Sequence, residues 1–223
     1  MIRESGDAEL TYGPLPQGLW PDAIRLLAEE RVSIAGVAEE PVWRAFLEDS
    51  RATAHPLIVS ACDAHTIHGV VLCLIDPARY WRRLLVRHPL VAVQILAVRL
   101  KRRLRWRRAG PSAPRPDPGI LNLMVPNVTG KRWADSSPEI AKIMFIGVDR
   151  RSRKKSIGRR LYQVLFRQLR LRGVRRVDAC IDWPNVPSIH LHRSAGWELY
   201  ARPQSIMASY DLSQIRDQDR DGG

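Results

Sequence analysis

The 223-residue chain is 45% hydrophobic and 26% charged, a globular composition that excludes collagen-like, low-complexity and natively disordered classes; its length favours one domain. Its three cysteines, none in a C-x-x-C pair, exclude a disulfide framework and point to a reducing compartment, while the start MIRESGDAEL lacks the basic and apolar halves of a signal peptide. The 36 Lys and Arg against 23 Asp and Glu give +13, and the excess is local. No acidic residue stands between Asp76 and Asp117, a stretch that holds 12 cations (Arg79, Arg82, Arg83, Arg87, Arg99, Lys101, Arg102, Arg103, Arg105, Arg107, Arg108 and Arg115), so the remainder carries only +1.

Residues 8–12 (AELTY) read as a first strand. PDAIRLLAEER follows as a helix, with Pro21 at its start and Ile24, Leu27 and Ala28 at helical spacing; EEPVWRAFLED is a second, with Val42, Ala45 and Phe46 on one face. LIVSA and GVVLCLI, either side of a polar turn, predict a hairpin. ARYWRRLLVRH is a short helix, and Pro89 opens another that runs through LVAVQILAVRLKRRLRWRR to Gly110; the Pro-rich PSAPRPDPG stops it. ILNLMV is a strand and NVTGKRWADSSP a polar loop. EIAKIMFIGV is a strand, DRRSRKKSIG a basic turn, and RRLYQVLFRQLRLRG an amphipathic helix with Leu161, Val164, Leu165 and Leu169 on one face and Gly173 at its end. RVDACID is a strand, SIHLHRSAG a short helix closed by Gly196, and WELYAR and SIMASYDL are the last strands. Residues 217–223 form a frayed tail.

The chemistry lies between Ile140 and Trp197. A strand ending at Val148 passes through a turn rich in Arg and Lys into a helix near Gly158. A helix start offers unpaired N–H groups and a partial positive charge, and Arg153, Lys154 and Lys155 add full charges, so the turn is either a phosphate cradle or a solvated basic loop. Arg153-Lys154-Lys155-Ser156-Ile157-Gly158, preceded by Val148, resembles the acyl-CoA turn (Arg/Gln-x-x-Gly-x-Gly/Ala) of the GCN5-related N-acetyltransferases. Asn185, Ser188, His192 and Gly196-Trp197 resemble that family's second signature, and the upstream helix-helix-hairpin order is similar too.

The resemblance implies an α/β (α+β) fold: one domain over 1–223, a mixed, V-splayed central sheet flanked by helices, and an inserted basic and apolar helical segment at 77–118. It implies acetyl-CoA as cosubstrate and no metal. Backbone groups of Ile146 and Val148 would meet pantetheine and the thioester, the N–H groups of residues 153–158 (Arg153, Lys154, Lys155, Ser156, Ile157, Gly158) the diphosphate, and Asn185 the pantetheine arm. Ser188 and His192 share the helical face of Asn185 through their spacing of three and four.

There are three departures from the pattern. Ser156 replaces the first Gly of the turn, and its Cβ opposes a positive φ. His192 stands where the family has a Tyr that protonates the leaving thiolate; it is the candidate catalytic acid, or a ring packed beneath the CoA arm. Lys142 stands where several members place a Glu base, leaving Glu139, Glu198 or water as candidates. Cys180 is expected in the core rather than as a nucleophile. The spacing of Cys62, His65, His68 and Cys73 superficially resembles a zinc set, but hairpin geometry separates the four.

The implied function is acetyl transfer to the amine of a small molecule, with an amino sugar or nucleotide-sugar favoured. The alternative is a catalytically decayed protein that binds CoA or a membrane surface. For the insertion, the segment 77–108 offers peripheral membrane contact, a homodimer contact, a cleft cover or an electrostatic trap for a phosphorylated acceptor. Nucleic acid is not the expected partner. The expected location is cytoplasmic, with peripheral contact at the inner membrane surface under the first of these readings.

Overall fold

The computed structural model describes residues 10–29, 40–53, 55–97, 100, 137–182, 185–201 and 205–214. Its strands are β1 (Thr11–Pro14), β2 (Leu57–Cys62), β3 (Ile67–Ile75), β4 (Ile140–Val148), β5 (Arg176–Asp182), β6 (Glu198–Ala201) and β7 (Ser205–Asp211). They form one sheet in the order β1-β2-β3-β4-β5-β7-β6. Every neighbouring pair is antiparallel except β4–β5, which is parallel. The first strand lies slightly later than residues 8–12; the expected hairpin is β2–β3.

The helices are α1 (Trp20–Glu29), α2 (Glu40–Thr53), α3 (Pro77–Arg87), α4 (89–97), α5 (Ile157–Arg170) and α6 (Val186–Ser194). Helices cover both faces of the sheet. This is why LIVSAC and GVVLCLI read as continuous apolar runs: every residue of β2 and all but one of β3 is buried. On one face α5 sets Leu161, Leu165 and Leu169 against Val59, Val71, Ala141 and Val177. Burying each of those leucines is worth about 1.5–3 kcal/mol. Gly173 follows α5 at φ +74°, the left-handed region that lets the chain turn into β5.

On the other face α1 and α2 bring Leu26, Leu27, Trp43 and Phe46 onto Ile58, Leu72 and Leu74. Helices α3 and α4 join this layer through Tyr80, Leu84, Val91 and Ile95. Asp76 caps α3 by accepting from the Arg79 N–H, and Pro77 stands in its first turn. His88 ends α3 and the helix resumes at 89, as Pro89 suggested. Asp49 of α2, buried among these helices, accepts from Arg87 at 3.0 Å, His88 at 3.2 Å and the Tyr80 hydroxyl at 3.4 Å. That junction locks α3 to α2. The ILNLMV strand, the NVTGKRWADSSP loop apart from its last residues, the helix beyond residue 100 with its Pro-rich stop, and the tail lie outside the described residues.

Candidate active site

The parallel β4–β5 ladder runs from Ile140↔Arg176 to Ile143↔Ala179 and stops. Both strands continue, β4 to Val148 alongside β3 and β5 to Asp182 alongside β7. A gap therefore opens in the middle of the sheet. Its origin is local: between Leu72↔Phe145 and Cys73↔Ile143 the register slips, and Met144 is the extra residue of a β-bulge, a device that bends and twists a strand.

The pairing also says which way the backbone of β4 points. In an antiparallel ladder every second residue turns both its N–H and C=O to the partner strand. The Asp149 N–H donates to the His68 carbonyl at 2.9 Å, so Asp149, Gly147 and Phe145 face β3. Ile146 consequently presents N–H and C=O to the gap and Val148 its N–H, the Val148 carbonyl being met by Arg153.

The turn after β4 is built for close approach. Asp149 accepts from the Arg151 N–H, and Arg153 Nε donates to the Val148 carbonyl at 3.1 Å. Lys154 and Ser156 adopt φ +67° and +58°, and Ser156 is the N-cap of α5 without a side-chain cap bond. The Ser substitution thus leaves the turn's left-handed path intact, with strain in place of glycine's freedom. The first-turn N–H groups of Ile157, Gly158 and Arg159 have no partners within the helix. Gly158 serves a different need: a Cβ there would meet the Leu191 methyls at 3.2 Å, so it allows α5 and α6 to approach.

One anchor of this turn was not read from the sequence. Ser152, buried, bonds His68 Nδ1 at 2.7 Å, and His68 Nε2 bonds Asp63 Oδ2 at 2.8 Å. The His68 bond is the main reason the Asp63 carboxyl is held down to about 2. His68 was noted only for its spacing to cysteines, because a bond spanning 84 residues leaves no local signal.

Asn185 caps α6, its Oδ1 accepting from the Ser188 N–H at 3.1 Å. His192 lies one turn beyond Ser188 and is 2% exposed. Its Nδ1 is 2.7 Å from the Ser188 carbonyl, which only accepts, so Nδ1 carries the proton and Nε2 accepts from the Tyr162 hydroxyl at 2.9 Å. Trp197 packs edge-on against the ring. Burial lowers the imidazole to about 4, only partly opposed by the Ser188 bond, and pushes the Tyr162 phenol well above its usual value. At neutral pH the ring is uncharged, and both of its nitrogens are engaged within the core.

Residues 124–197 match the sequence model of the acetyltransferase (GNAT) family. Over that stretch the chain is similar to GNAT-family acetyltransferases. Its fold is similar to that of SsHAT (17% identity, 92% of this chain and 98% of that one, TM-score 0.59). It is also similar to the acetyltransferase yncA from Salmonella typhimurium, solved with its cofactor acetyl-CoA (13%, 92% and 95%, 0.52). A third is the ribosomal-protein-S18-alanine N-acetyltransferase from Escherichia coli (12%, 94% and 98%, 0.51). No curated protein matches this chain.

Across the sheet from α5, a cavity of about 1020 Å³ lies between the two N-terminal helices of the GNAT fold, lined in part by Trp20, Trp43, Arg25, Arg44, Glu40 and Glu48. Trp43 meets the ring of Phe145, on the unzipped half of β4, with centroids 6.5 Å apart. Trp43 thus connects the helices that wall the cavity to the strand that flanks the gap. Cys180, expected in the core, is exposed instead. Alternation explains it: Ala179 and Ile181 take the α5 face of β5, which turns Cys180 and Asp182 to the other side, beyond the end of the ladder.

Both carboxylates weighed as bases lie at the closed end of the gap. Glu139 precedes β4 beside Arg175, and Glu198 shares a level with Ser209 and Asp178 in the zipped part of the sheet. Lys142 is level with Asp178 too. Among the described residues no group of three His, Cys, Asp or Glu side chains is placed to hold a metal ion.

Proposed function

We propose that this GNAT-family enzyme transfers the acetyl group of acetyl-CoA to the amine of a small molecule by direct attack, without an acyl-enzyme. The observation that carries the reading is the unzipped gap itself, with backbone polar groups turned into it and a cationic, amide-lined turn at its mouth. A linear, amide-bearing cofactor with a diphosphate fits such a site. Ile146 and Val148 pair with its amides, and the N–H groups of residues 153–158 with the Arg153, Lys154 and Lys155 cations hold the diphosphate. Asn185 and Ser188 flank the arm at the start of α6.

Acetyl-CoA supplies an activated acyl group; the protein supplies position and field. A backbone N–H facing the gap stabilises the thioester oxygen as it gains charge. The amine nitrogen, brought within attack distance, forms the N–C bond as C–S breaks, its surplus proton passing to solvent and the thiolate taking one back. His192, expected as the proton donor, we assign a positioning role: locked between Ser188 and Tyr162, it fixes α6 against α5. Replacing His192 by Phe then raises KM for acetyl-CoA with kcat little changed, whereas a fall in kcat at unchanged KM reinstates it as the acid.

The acceptor enters from the cavity beside Trp43. Trp20 and Glu48 line it, with the Arg44–Glu40 and Arg25–Asp22 ion pairs beside them, and this mixed aromatic and charged lining favours an amino sugar or nucleotide-sugar. Cysteine usage supports a cytoplasmic place of action.

The test is thiol release from acetyl-CoA across a panel of amino sugars, nucleotide amino sugars and peptides with N-terminal alanine. Turnover with one of the sugar classes, lost in Gly158→Glu together with CoA binding, is the expected result. Turnover with peptides alone overturns the acceptor class. Tight CoA binding without release on any amine makes the protein a decayed CoA binder.

A further inference from the structure

Helix α4 is apolar all the way round: from residue 89 to 97 its one polar side chain is Gln94. Val91, Ala92 and Ile95 turn inward onto the core. Leu90, Val93 and Leu96 turn outward and are 81%, 62% and 57% exposed, and Leu100 carries the line on by another turn. On α3, Leu85 and Val86 are exposed as well. A helix with no polar face is ordinarily covered on every side, and a contiguous exposed apolar stripe marks a docking surface.

The charge carried by this segment identifies what docks. Arg79, Arg82 and Arg83 are exposed on α3, and no acidic residue occurs from 77 to 116, where 12 cations stand. We infer that α3 and α4 dock this GNAT protein on an anionic lipid bilayer, the apolar stripe entering the headgroup layer and the arginines meeting lipid phosphates. An isologous contact with a second copy would set each cationic segment against its twin. A nucleic acid would satisfy the arginines but leave Leu90, Val93 and Leu96 unburied. A bilayer surface takes both. The contact is peripheral, since no helix among the described residues is long and apolar enough to cross a membrane. Through Asp49 the docked element is fixed to α2, a wall of the cavity described above. The inference is independent of acetyl transfer and stands or falls separately.

The full chain is sedimented with vesicles of pure phosphatidylcholine and with vesicles in which about a third of the lipid is phosphatidylglycerol. Binding to the anionic vesicles is expected to be tighter by about tenfold or more and to weaken with salt. A triple variant, Leu90→Gln with Val93→Gln and Leu96→Gln, loses about tenfold on anionic vesicles, and Arg82→Gln with Arg83→Gln loses most of the preference for them. Both variants retain wild-type CoA affinity, which shows that they fold. Equal indifference to both vesicles overturns the inference, as does a triple variant that binds like wild type. A dimer in sedimentation equilibrium that the triple variant abolishes, or single-stranded DNA binding without vesicle binding, overturns it in favour of that partner.

Discussion

Acidification from pH 7 to 5 tests the environment assigned to His192. In the unfolded chain an imidazole takes its proton below about 6.5, whereas in the fold it resists until about 4. Between those values the unfolded state binds the extra proton, so stability falls as pH drops through that window. For this shift the loss between pH 7 and 5 comes to about 2 kcal/mol, a large fraction of the stability of an ordinary domain. The comparison protein carries His192→Phe with Tyr162→Phe, which removes both partners of the buried bond at once and leaves no orphaned hydroxyl. Urea unfolding of both proteins at the two pH values gives the difference. His55, half-buried and also lowered, titrates in both and cancels; Asp63, held near 2, responds only below the window. A double variant that loses as much stability on acidification as the wild type refutes the reasoning.

Asn185→Ala should cost about 1 kcal/mol through the lost cap and also weaken acetyl-CoA binding. Asn185→Asp, which can still cap, recovers the melting temperature without the affinity. Ser152→Ala frees the turn proposed to hold the diphosphate from His68, so CoA and ADP bind about fivefold more weakly while acetyl-pantetheine turns over as before; equal loss with both substrates would point to general destabilisation. Ser156→Val loses about 1–2 kcal/mol in denaturant unfolding because a β-branched residue resists φ +58°, whereas Ser156→Gly matches wild type or better; a tolerated Val contradicts the left-handed turn.

The elements were legible in the sequence because periodicity and punctuation agreed locally. Leu161, Leu165 and Leu169 give α5 its buried stripe, Pro77 and Pro89 open successive helices, and Gly173 and Gly196, at φ +74° and +84°, close two others. The turn proposed to hold the cofactor is legible as a turn for the same reason: a strand end, a run of cations and a small residue at 158 are adjacent in the chain. What escaped depended on register or distance. Cys180 looked like core because RVDACID is largely apolar, and only the end of the β4–β5 ladder exposes it. The His68–Ser152 and Tyr162–His192 bonds join residues far apart in the chain, and nothing nearby announces them. The position of Glu139 and Glu198 at the closed end follows from pairing alone.

A crystal structure with acetyl-CoA bound addresses the core of the account. Pantetheine should run between residues 144–148 of β4 and the start of α6, bonded to backbone at Ile146 and Val148, with its diphosphate on the amides leading to Gly158. Density for the cofactor elsewhere, or β4 and β5 paired along their full lengths, would contradict it.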